Sequence, residues 1–229
     1  MMTNKWQKCS IVFFSLMMFF MVGVAANAET IKKVVLIDPA HGGEDQGVIG
    51  VDRVAEKDLT LSMALALKKQ LAGEAGMIVV LTRETDQTLS VAERKAIIVK
   101  EKPDVVLSIH VNAGFGKNAS GFELYYPGFK QVDVSVNAGK NKAPMDETKH
   151  LNDTVKLARL VRQNFDTLFP RKGRGLREAE TPLVEGLKVP TLILEMGFIT
   201  NPDEKKKMST QKTQNDIARA LARSIKDYF

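Results

Sequence analysis

Four short apolar runs constrain this chain most: Lys33 to Asp38 (KVVLID), Met77 to Leu81 (MIVVL), Asp104 to Ile109 (DVVLSI) and Thr191 to Glu195 (TLILE). They are rich in β-branched residues and read as buried strands. Helical spacing separates them. Asp58 to Leu71 carries Leu59, Met63, Leu65, Ala66 and Leu67 at mostly helical spacing, with Asp58 as candidate N-cap. Ser90 to Lys100 and Thr154 to Phe169 read as helices, the second ended by Pro170. Asp203 to Phe229 reads as helix broken near Ser209. Gly121 to Tyr126 (GFELYY) alternates and reads as an edge strand or hairpin arm. Strands alternating with helices imply a single α/β domain with a mostly parallel twisted sheet and helices on both faces. Two segments read as irregular: a polar insert at about 129–152, and Arg171 to Pro190, rich in Gly and Pro, expected to wrap the surface.

The start of the chain differs from the rest. Lys5 and Lys8 precede an apolar run from Ile11 to about Val24, which closes on Ala26-Asn27-Ala28. This is the layout of a secretory signal peptide, residues 1–28, cleaved after Ala28. The apolar run is short for a membrane span, which needs roughly 20 residues, so no stable span is expected after cleavage. The single cysteine, Cys9, lies in this leader, so residues 29–229 have neither a disulfide nor a thiolate ligand. Loss of Lys5 and Lys8 lowers the net charge from +6 to +4. That mild bias suits an anionic polymer or a merely solvated surface. Without a dense Lys/Arg stripe interleaved with aromatics, and with export expected, nucleic acid is not an expected partner.

Polar residues gather where the apolar runs end. The first run leads into Asp38-Pro39-Ala40-His41, the third into Ser108-Ile109-His110-Val111-Asn112, and the last into Glu195-Met196-Gly197. In an open α/β sheet, ligands bind outside the carboxyl ends of the strands. If these strands are parallel neighbours, His41, His110 and Glu195 share one rim, and Glu56 reaches it from the first crossover. Imidazole and carboxylate ligands without Cys suit a catalytic zinc, which leaves one position open for water. A further carboxylate is needed to move the proton. Spacing alone leaves open which of Glu56 and Glu195 is ligand and which is base, and Glu56 also suits a helix N-terminus through the helix dipole.

Six blocks carry a resemblance to a known family: IDPAHGGEDQGVIG (37–50), EKDLTL (56–61), LTRETD (81–86), SIHVNA (108–113), GFELYY (121–126) and LEMGFITN (194–201). In this order they resemble the zinc-dependent N-acetylmuramoyl-L-alanine amidases, the family of the bacterial cell-division amidases. The resemblance implies zinc bound by His41, Glu56 and His110, with Glu195 as catalytic acid/base. It also implies hydrolysis of the amide between the lactyl group of N-acetylmuramic acid and L-alanine in peptidoglycan, in the periplasm or at the cell wall. Asp38 and Asn112 are expected behind the ligands, Asp38 taking the N–H of a ligating histidine. Arg83, Asp86 and Arg94 read as an internal ion-pair network. Arg174 and Arg177 have surface or structural roles as the default and substrate contact as the sharper reading. His150, in the insert, is expected to face solvent. Some cell-division relatives hold an autoinhibitory helix at the corresponding place, so the insert is a candidate shield for the cleft.

Two rival functions follow from the same residues. A silent peptidoglycan-binding module of this fold would be expected to lack a ligand or the acid/base, and all four residues are present. A zinc hydrolase of another exported amide would use the same metal chemistry, and only the family blocks argue against it. No separate wall-targeting segment is recognisable, so the substrate is found by this domain itself or through an activator or targeting protein.

Overall fold

The apolar runs read from the sequence form four neighbouring strands of one sheet. The computed structural model describes residues 32–128, 145–170 and 172–229. Among them the strands are β1 (Lys33–Pro39), β2 (Met77–Leu81), β3 (Val105–Asn112), β4 (Phe122–Pro127), β5 (Gly173–Ala179) and β6 (Thr191–Phe198). The helices are α1 (Glu56–Leu71), α2 (Val91–Glu101), α3 (Met145–Leu168), α4 (Pro202–Met208) and α5 (Gln211–Tyr228). The sheet order is β2-β1-β3-β6-β4-β5. β2, β1, β3 and β6 are parallel. β4 runs antiparallel to β6, and β5 runs parallel to β4. This is the expected α/β class with a mostly parallel sheet. The leader and residues 129–144 of the insert lie outside the described residues.

Alternation along the strands sorts the two faces. Val105, Leu107, Ile109 and Val111 of β3 join Leu67 of α1, Phe165 of α3 and Ile217 of α5 in the main core. Val106 points the other way, to Leu36, Ile98 of α2 and Leu183. Phe165 is fully buried and meets Phe122 edge-on at 5.1 Å. A cavity in its place costs about 3–5 kcal/mol. By the same alternation His110, its partner Glu195, and Glu123 opposite Glu195 share the α2 face of the sheet.

Several boundaries differ from the sequence reading. α1 begins at Glu56, with Ala55 rather than Asp58 at the cap position. Ala55 has no capping side chain. Instead the carbonyls of Val48 and Gln46 take the N–H groups of Glu56 and Lys57, so the preceding loop caps the helix with backbone. α2 starts as expected, with Ser90 and Glu93 in a reciprocal capping box. α3 begins at Met145, so residues 145–152, expected as loop, are helical. β4 is not an edge strand, because the Gly/Pro-rich segment expected to wrap the surface contains β5, which pairs with it. Among the described residues no helix is long and apolar enough to cross a membrane.

Candidate metal centre

The site is built on the parallel strands at the centre of the sheet. β1 pairs with β3 up to Pro39 and Ile109, and His41 follows two residues later. His110 lies one residue on in β3, and β6 sets Glu195 directly opposite it. Glu56 enters from the first turn of α1 and is only 2% exposed. Its Oε2 lies 3.1 Å from His41 Nε2 and accepts the Val48 N–H at 3.0 Å. Its Oε1 lies 3.3 Å from His110 Nδ1 and accepts the Val111 N–H at 3.0 Å. Burial works against the Glu56 charge, but the two imidazoles and two backbone N–H groups outweigh it and hold the carboxyl well below its usual range. The Glu56 carboxylate in turn raises His41 to about 9.

The loop after β1 fixes His41. Asp45 Oδ2 lies 2.9 Å from His41 Nδ1, leaving Nε2 as the nitrogen that faces Glu56. A hydrogen bond of this kind from Asp38 was expected. Asp38 instead accepts from Thr82 Oγ1 (2.6 Å), Arg94 Nη1 (2.6 Å) and Ser108 Oγ (2.9 Å). Both of its oxygens are held by these three donors, none of which is an imidazole. Its influence on His41 passes through Arg94, whose Nη2 donates to the His41 carbonyl at 2.6 Å. Arg83, expected in an ion-pair network, instead donates to the carbonyls of Pro39, Ala40, Lys57 and Thr85. Asp86 does form an ion pair, with Lys57 at 2.7 Å. His41 itself has φ of 61°, an uncommon value for a non-glycine residue. Gly47, at φ 64°, passes so close that a Cβ there would lie 2.6 Å from the His41 ring and 2.7 Å from Glu56 Oε2.

Glu195 is the fourth residue at this rim. Among the described residues its Oε2 and Thr181 Oγ1 are the buried side-chain polar atoms without a hydrogen-bond partner. Burial, above all, pushes Glu195 up to about 7. The nearby charges of Glu56 and Glu123 add to this, and the imidazoles oppose it. Asn112 faces Glu123, donating from Nδ2 to Oε2 at 3.0 Å. Arg174 and Arg177 approach the same carboxylate, at 3.3 and 4.0 Å. His150 sits part-buried in α3, away from this group. A cavity of about 630 Å³ lined by Phe122, Phe165, Met196 and Met208 includes none of the four residues.

The family model described as N-acetylmuramoyl-L-alanine amidase matches residues 35–227. The chain belongs to this family. A putative N-acetylmuramoyl-L-alanine amidase of Buchnera aphidicola (subsp. Acyrthosiphon pisum) is 27% identical over 225 residues, covering 86% of this chain and 95% of the relative. The catalytic domain of the amidase CwlV from Bacillus (Paenibacillus) polymyxa var. colistinus superposes with a TM-score of 0.70 at 27% identity, covering 86% and 97% of the two chains. The CwlD amidase of Clostridioides difficile, solved in complex with the GerS lipoprotein, also gives 0.70, at 25% identity and 86% and 98% coverage.

The amidase-family site has the donors a metal ion takes. One atom each from His41, Glu56 and His110 lie within 4.8 Å of one another. Nitrogen and oxygen donors at about 2.0–2.1 Å from a tetrahedral ion stand roughly 3.4 Å apart, and the 3.1 and 3.3 Å imidazole–carboxylate separations match that spacing. Two imidazoles, one carboxylate and no sulfur suit a divalent first-row ion. Two supporting acids escaped the sequence reading. Asp45 looked like one of two loop acids, although its spacing of four from His41 was a usable signal. Glu123 lay in an apparent edge strand, where an outward acid reads as solvated. Only the β4–β6 register brings it to Glu195.

Proposed function

We propose that this chain hydrolyses the amide between the N-acetylmuramic acid lactyl group and L-alanine in peptidoglycan, with zinc held by His41, Glu56 and His110. The observation that carries the reading is Glu195: a part-buried side chain with one buried carboxyl oxygen unpartnered, its proton held to about pH 7, directly opposite a ligand of the trio. When bound, the ion supplies Lewis acidity to the lactyl carbonyl and acidifies a water. Glu195 takes the proton of the attacking water at Oε2 and returns it to the alanine nitrogen as the C–N bond breaks. A group that ionises near neutral pH serves both halves of that transfer. Asp45 keeps the Nδ1 proton of His41 in place and Nε2 available. Glu56 uses its backbone hydrogen bonds to stay charged while buried.

The reading includes cleavage of residues 1–28 and action outside the cytoplasm, in the periplasm or at the wall. It also includes an activator or targeting protein, supported by the likeness to CwlD, which was solved bound to a lipoprotein.

The test is metal content plus turnover on purified peptidoglycan, for residues 29–229 and for Glu195→Ala. Zinc near one per chain in both, with N-terminal alanine released by the parent alone, is the expected result. Absence of zinc from both removes the metal site and leaves a wall-binding module. Release by Glu195→Ala at the parent rate removes the acid/base assignment.

A further inference from the structure

Beside the residues of the proposed reaction, the antiparallel neighbour of β6 carries a second buried acid. Glu123 lies directly opposite Glu195 and is 5% exposed. Its Oε2 accepts from Asn112 Nδ2 and from the Tyr125 hydroxyl. Its Oε1 faces Arg174 Nε at 3.3 Å and Arg177 Nη1 at 4.0 Å. A buried carboxylate needs such partners to stay charged. Glu123 needs only one of these guanidiniums for neutrality, so one positive charge is left over.

The backbone is arranged to bring both arginines to this face. The β4–β5 register shifts between Phe122 and Leu124, and Gly175 within that shift has φ of 103°. A bulge of this kind re-aims side chains. Here it sets Arg174 against Glu123 while Arg177, opposite Tyr125, reaches the same carboxylate. Arg174 also lies over the Phe198 ring, its Cζ 4.9 Å from the centroid. The two side chains are held at one edge and still 42% and 55% exposed. A guanidinium offers five donors in a planar fork, and a contact through Nε leaves the terminal pair free for a bidentate partner.

We propose that Arg174 and Arg177 form a carboxylate-binding subsite for the peptide stem, and that Glu123 is the positioning residue that holds them there. This rests on the amidase reading above. The carboxyl of muramic acid is consumed in the scissile amide, so the free carboxylates of such a substrate lie on its peptide. The subsite therefore marks the leaving-peptide side. Glu123 stands two strands from His110, roughly 10 Å, which is about three residues of extended chain. A carboxylate within the first few stem residues spans that distance.

The test compares a muramoyl tripeptide bearing free carboxylates with the same compound in which each is a carboxamide. Hydrolysis is measured with the parent chain, and binding by calorimetry on a Glu195→Gln background so that the probe is not consumed. The expected preference for the carboxylate form is about tenfold or more, falling toward one in Arg174→Gln/Arg177→Gln and partly in Glu123→Gln. The loss appears in KM and in binding rather than in kcat. A purely structural role lowers both probes alike and leaves their ratio in place, which overturns the subsite. If the double variant does not fold, the exposed single change Arg177→Gln carries the same comparison. Equal hydrolysis of both probes by the parent also overturns the subsite and leaves the amidase reading standing. Arginine-dependent binding of the carboxylate form without hydrolysis does the reverse.

Discussion

Asp38 and Glu195 are both acids at the carboxyl ends of parallel strands, yet their surroundings differ in one respect that decides their roles. Asp38 is 1% exposed with donors on both oxygens: one takes Thr82 and Arg94, the other Ser108. Glu195 has a buried oxygen that no protein group meets, and burial lifts its proton affinity to about 7. Giving both oxygens protein donors makes a carboxylate part of the frame. Leaving one empty keeps it ready to exchange a proton, at the cost of an unmade hydrogen bond. The frame built on Asp38 also serves the site, because Arg94 passes from Asp38 to the His41 carbonyl.

Changing each acid in turn tests this contrast. Glu195→Gln is expected to lower kcat by about 10²–10⁴-fold, or roughly 3–5 kcal/mol in the barrier. It should do so without lowering the melting temperature, and a large loss of stability would make Glu195 a second frame residue. Asp38→Ala leaves Arg94 buried without its carboxylate, and denaturant unfolding should show a loss of about 3–5 kcal/mol. If stability is retained and only turnover falls, the contrast fails from the other side.

Asp45→Ala probes a smaller support. Removing the partner of His41 Nδ1 should weaken metal binding about 10–100-fold, read by competition with a chelator. Unchanged affinity would mean that the Gly47 turn alone orients the ring.

The last test uses pH on the metal-free protein. The folded-state affinity of Glu195 for its proton, at about 7, lies above the ordinary carboxyl value of 4.5. Between those values the folded state therefore binds more protons than the unfolded one. Its contribution is fully present below about pH 4.5 and is lost as pH rises through about 7. Glu195→Gln should remove that decline, so the stability difference between variant and parent widens across this window. Parallel curves would show that Glu195 is ionised throughout.

Much of this molecule was legible in its sequence. The four β-branched runs became the four parallel strands of the sheet's β2-β1-β3-β6 part, and the inner ones, β1, β3 and β6, are apolar because a strand covered on both faces has little other composition open to it. His41, Glu56 and His110, grouped by the family resemblance, do meet in space. The helix read from Ser90 to Lys100 forms at Val91–Glu101 with Ser90 as its cap. The misses share a physical cause. β5 was hidden by Gly173, Gly175 and the charged Arg174, Arg177 and Glu178, because an edge strand with a bulge lacks a continuous apolar run. The start of α1 carried no capping side chain, since loop carbonyls do that work.

By itself, then, the sequence determined the class of sheet, the residue types at its rim, and the absence of cysteine from residues 29–229. Tertiary structure alone decided what surrounds each acid. Asp38, Asp45, Glu56, Glu123 and Glu195 are alike as residues in a string. They differ in how many donors the fold brings to each oxygen, and those donors come from elements up to 70 residues away. Strand register sets that count, because moving β4 by one residue past β6 would turn Glu123 to the core face and leave Arg174 and Arg177 without their shared partner.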